Sequence, residues 1–85
     1  MKTYYFTFGT DEDFPFQGGW VEVVAPNIRA AARIFKAYFP NDDDPDILNC
    51  ADYYSEEVFR QTEMMAENMG AGCHLVIGPY KLKEE

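Results

Sequence analysis

"WVEVVAPNIRAAARIFKAYFP", residues 20–40, changes its hydrophobic period halfway along, and that change decides the fold class. In the first six residues, Val21 and Val23 fall on one side of an extended chain and Trp20, Glu22 and Val24 on the other. This is the two-residue period of a strand, carried by β-branched residues that suit a pleated surface. After Pro26 the spacing lengthens. Ile28, Ala31, Ala32, Phe35 and Phe39 recur at i, i+3, i+4, i+7 and i+11, one apolar face of a helix. Asn27 is a favoured N-cap, and Pro40 ends the helix because the residue before a proline avoids the α region.

Working outward toward the N-terminus, "KTYYFTF" (2–8) alternates as a second strand, with Tyr4, Phe6 and Phe8 on one face and Thr3, Tyr5 and Thr7 on the other. The short separation from residues 20–25 predicts an antiparallel pair joined by an unusually long loop over 9–19, punctuated by Gly9, Pro15, Gly18 and Gly19. Toward the C-terminus, "NDDDPDILN" (41–49) reads as an acidic loop. A second helix follows, with Ser55 as N-cap, Glu56 and Glu57 in its first turn, and Gly70 as its stop. Its inner face is expected to be Val58, Thr62, Met65, Ala66 and Met69, widened by Phe59. "CHLVI" (73–77) is a third strand, and "YKLKEE" a tail or edge strand. The order β-β-α-α-β predicts a single α+β domain over residues 1–85. It has two layers, a small mostly antiparallel sheet covered on one face by two helices.

The chain has 85 residues, fifteen Asp and Glu against seven Lys and Arg, and a formal net charge of −8. That field repels phosphates, so direct binding of nucleic acid is not expected; a basic protein partner suits it, and so does plain solvation. Three of the seven cations, Arg29, Arg33 and Lys36, lie at i, i+4 and i+7 on a helix face away from the apolar one. Their plainest reading is a solvated stripe. No apolar run approaches the ~20 residues of a membrane span, and the N-terminus lacks a signal peptide's apolar segment. A cytoplasmic protein without membrane contact is expected, its two cysteines, Cys50 and Cys73, reduced and mostly buried.

Motifs of chemistry are weak. Asp42, Asp44 and Asp46 keep the 1, 3, 5 spacing of a calcium loop, but Ile47 and Tyr53 stand where glycine and glutamate belong. Cys73 and His74 are strand neighbours and face opposite ways, so they cannot serve one site. One histidine is too few for a zinc site at any recognisable spacing. The glycines of 9–19 lack phosphate-loop spacing, and aromatic strand residues without a basic groove read as core and not as a base-stacking platform. No catalytic residue, metal or cofactor is assigned.

What remains is "FGTDEDFPFQGGW" (8–20). Asp11, Glu12 and Asp13 would steer toward a basic surface, with Phe14, Phe16 and Trp20 as aromatic anchors, and Asp42, Asp43 and Asp44 would add to the field if the fold brings them close. The competing reading has Phe14 and Phe16, with Pro15 between them, capping one end of the core.

Three pieces, "YYFTFG" (4–9), "VEVVAPNIRAAARIF" (21–35) and "LNCADYYSEEVF" (48–59), together resemble small uncharacterised proteins of phages, prophages and mobile elements of Gram-positive gut bacteria. In those, an aromatic strand and Phe-Gly turn precede a Val-rich strand and a helix with an A-R-x-x-F core. The resemblance implies provenance and fold, and carries no site residues. By analogy of size and charge, it implies an inhibitor of a host defence or nucleic-acid-binding protein, in the manner of anti-CRISPR proteins. The expected function is thus a non-enzymatic acidic interaction module with a basic host protein as partner. The alternatives are a ligand-binding or cysteine-dependent enzymatic domain using Cys50, Cys73 or His74, and a homodimer joined by an edge strand or by the methionines of the second helix.

Overall fold

In the computed structural model the α+β class holds: a four-stranded, mostly antiparallel sheet packed with two helices. The structure describes residues 1–9, 12–44, 46–62 and 72–78. The strands are β1 (Lys2–Thr7), β2 (Trp20–Ala25), β3 (Asp52–Ser55) and β4 (Cys73–Ile77); the helices are α1 (Ile28–Tyr38) and α2 (Glu56–Phe59). The spatial order is β3-β1-β2-β4. β1 pairs antiparallel with β2 from Lys2↔Ala25 to Thr7↔Trp20, as the long hairpin requires. It also pairs antiparallel with β3 from Tyr4↔Ser55 to Thr7↔Asp52. β4 adds to β2 in parallel, with a register shift between Trp20 and Val21.

β3 is an element that the sequence reading left unassigned. Tyr53 and Tyr54 favour a pleated surface, but four residues between an acidic loop and a helix cap carry too little alternation to stand out. The free edge of β1 supplies the reason they extend. Thr7 reinforces that edge, its Oγ1 donating to the Asp52 carbonyl at 3.2 Å.

The two helices divide between the sheet faces, a correction to the expectation that both cover one. The alternation of β1 and β2 leaves aromatics on each side to be covered. On one face Tyr4, Phe6, Phe8, Val21, Val23, Ala25 and Ile77 pack with Ala31 and Phe35 of α1. Phe6 stacks on Phe35, centroids 4.4 Å apart. On the other face Tyr5 and Trp20 are covered by Phe59, whose ring stacks on Tyr5 at 4.3 Å. Alternation in "KTYYFTF" makes both faces aromatic, and leaving Tyr5 and Trp20 in water would forfeit about 2–3 kcal/mol apiece of burial.

The caps agree with the sequence. Asn27 Oδ1 accepts from the Ala30 N–H at 2.9 Å, and Ser55 Oγ from the Val58 N–H at 3.4 Å. The helix faces agree less well. In α1, Ile28 is 36% exposed while Ile34 packs against the core. In α2 the expected order is reversed: Val58 is half exposed and Phe59 fully buried. Thr62 is half-buried. Met65, Ala66, Met69 and Gly70, and the tail after Gly78, lie outside the described residues.

Candidate functional site

Two loops distant in sequence meet beside the C-terminal end of α1. Asp13 and Phe14, from the 9–19 loop, and Pro40, Asn41, Asp42, Asp43, Asp44 and Asn49 line one depression of about 380 Å³. The second loop is built by its own side chains. Asn41 Oδ1 accepts from the N–H groups of Asp43 and Asp44, each at 3.1 Å, and Asp44 Oδ1 accepts from the Asp46 N–H at 3.1 Å. Such short polar side chains bonding to the backbone just ahead are what turn the chain here. Asp42 and Asp43 are exposed and Asp44 half-buried.

The 9–19 loop is tethered by its aromatics. Phe14 and Phe16 are half-buried against the core, Phe16 lying 5.3 Å from Phe8 and 5.8 Å from Phe39. His74 stacks on Phe16 at 4.2 Å, and its Nε2–H donates to the Gly18 carbonyl at 2.8 Å. The sequence reading missed this contact, because it joins β4 to a loop across the whole chain. Gly18 and Gly19 take φ values of 69° and 72°, the left-handed backbone that closes the loop onto β2.

Of the residues expected at a working surface, Asp13, Phe14, Asp42, Asp43 and Asp44 are brought together. Glu12 is exposed but does not line the depression, and Asp11 lies outside the described residues. Phe16 serves packing. Trp20 is no exposed anchor: it is buried beneath Phe59, with Nε1–H donating to Glu22 Oε2 at 3.0 Å. Its position in β2 directs it to the face that α2 covers.

The calcium-like trio is split. Asp42 and Asp44 line the acidic depression, whereas Asp46 lies across the loop. Asp46 there shares a second depression, of about 300 Å³, with Arg29, Ala32, Arg33, Lys36 and Leu48. Among the described residues no group of three His, Cys, Asp or Glu is arranged to hold a metal ion.

The cysteines are free, Cys50 half-buried against the core and Cys73 exposed, against the expectation that both are buried. Burial, and then the Asp52 carboxylate, push the Cys50 thiol up to about 12. Burial and Glu22 also raise Cys73. Both shifts favour the thiol over the nucleophilic thiolate. Cys73 sits beside Glu22, while the His74 ring lies on Phe16, so the two neighbours keep separate company.

No protein family, curated protein or solved structure matches the chain. Among the described residues, no helix is long and apolar enough to cross a membrane.

Proposed function

We propose that this protein is a non-enzymatic interaction module whose acidic depression docks on a basic surface of a protein partner. The observation that carries this reading is the convergence of Asp13 with Asp42, Asp43 and Asp44 from two separate loops into one concave surface. Acids that served solubility alone gain nothing from such focusing, whereas a concave surface of one sign concentrates the field and steers a basic partner toward it. Phe14, which also lines the depression, supplies an apolar contact that is half-buried against the core.

In its sharper form the partner is a nucleic-acid-handling protein of the host cytosol, and the module inhibits it by covering cations that would otherwise meet phosphates. Support for that form comes from the net charge of −8 and from the resemblance to small phage proteins.

The test is retention of partners from host lysate by the tagged chain, at about 50 and 500 mM salt, beside the variant Asp42→Lys/Asp43→Lys/Asp44→Lys. A basic protein held by wild type at low salt, released at high salt and ignored by the variant is the expected outcome, since exposed charges are screened within ~8 Å at physiological ionic strength. A partner held equally by the variant would remove the reading.

A further inference from the structure

We infer that the outward face of α1 is a docking surface for a second copy of this chain, which sets its own Asp42–Asp44 loop against Arg29, Arg33 and Lys36. The chain has only seven Lys and Arg, yet three of them line one depression on α1. Like charges at i and i+4 on a helix disfavour it by about 0.2–0.5 kcal/mol, so the stripe is unfavourable unless something neutralises it.

The carboxylates among the described residues do not do so. Among the described residues the ion pair formed is Arg60–Glu56, at 2.6 Å, and no carboxylate lies within ion-pair distance of Arg29, Arg33 or Lys36. Asp46 is the acid that lines their depression, one against three. Asp42, Asp43 and Asp44 line the other depression instead, on a loop whose backbone is fixed by the Asn41 and Asp44 hydrogen bonds.

The complement is therefore present in the molecule but out of its own reach. The acidic and basic depressions lie on either side of one loop, residues 41–49, which contributes Asp42, Asp43, Asp44 and Asn49 to the first and Asp46 and Leu48 to the second. Adjacent patches of opposite sign are self-complementary: a two-fold axis near the loop matches acid to base twice, the arrangement of an isologous dimer. Ala32 and Leu48 add an apolar floor, and arginine's planar fork suits carboxylates. The repulsion between two chains of net charge −8 acts over distances that physiological salt screens, while the facing pairs act in contact.

This inference does not rest on the partner reading, because it is read on the protein alone; since both engage Asp42, Asp43 and Asp44, a basic partner and a second copy would compete for those acids. The experiment is sedimentation equilibrium at about 100 μM chain for wild type, Arg29→Glu/Arg33→Glu, Asp42→Lys/Asp43→Lys/Asp44→Lys, and an equimolar mixture of the two variants. Wild type is expected at twice the chain mass and each variant at the chain mass. The mixture is expected to regain the doubled mass, since each variant then offers the charge the other needs. The regain also shows that both variants are folded. A monomeric wild type overturns the inference. So does a dimer indifferent to both reversals, and so does a mixture that stays monomeric.

Discussion

At Gly19 the backbone takes φ 72°, and a methyl group there would meet the His74 imidazole and the Gly72 carbonyl. Gly19→Ala combines a left-handed backbone with a clash against main chain. It is expected to lower stability by about 1–3 kcal/mol, read as a fall in the denaturation midpoint. The glycine pair was legible in the sequence as a turn, but its contact with His74 was not, because nothing local links residues so far apart. The two cysteines separate in the same way. Exposure directs iodoacetamide to Cys73 first, so one adduct, mapped to Cys73 by mass spectrometry, should precede any at Cys50. Cys50 also predicts alkaline behaviour. Its folded thiol holds a proton up to about 12 against an ordinary 9.0, so above pH 9 the unfolded chain binds fewer protons and stability falls as pH rises toward 12. Tyr5 and Tyr54, both raised chiefly by burial, act in the same direction. Cys50→Ala should therefore flatten, without abolishing, the loss measured by urea denaturation between about pH 9 and 10.5.

Among the elements, α2 departs furthest from its expected packing. A helical period read from Val58 onward puts that residue inward, yet Phe59 is the residue that seals Tyr5 and Trp20. The choice follows from the sheet, whose second face presents two large aromatics and takes the larger partner. Phe59→Ala should cost about 3–5 kcal/mol, enough to unfold much of a small domain at 37 °C, while Val58→Ala should stay within about 0.5 kcal/mol. Thermal melts of the pair distinguish this packing from the one the periodicity suggested. The N-cap of α1 was read correctly because capping is local chemistry: Asn27→Ala removes an acceptor for the Ala30 N–H and should cost about 1 kcal/mol. β3 was unreadable for the opposite reason, since its extended form depends on pairing with β1.

Across the protein, charge is segregated and not merely abundant. The acids of two loops gather at one end of α1 and its cations along an outer face. For a chain of net charge −8, local cations should not suffice to hold a polyanion. Single-stranded DNA is expected to show no binding by fluorescence anisotropy at about 150 mM salt, and measurable affinity there would mean the α1 face dominates the field.

The sequence by itself determined the α+β class, the β1–β2 hairpin, α1 with its caps and β4, because each rests on periods and end signals within a few residues. It also determined the sign of the field. Only the tertiary structure decided that α2 covers the second face, that Trp20 is core, that β3 exists, and that Asp13 joins Asp42–Asp44. Each of these is a meeting of residues far apart along the chain, and such meetings are set by which surfaces remain open once the local elements have formed.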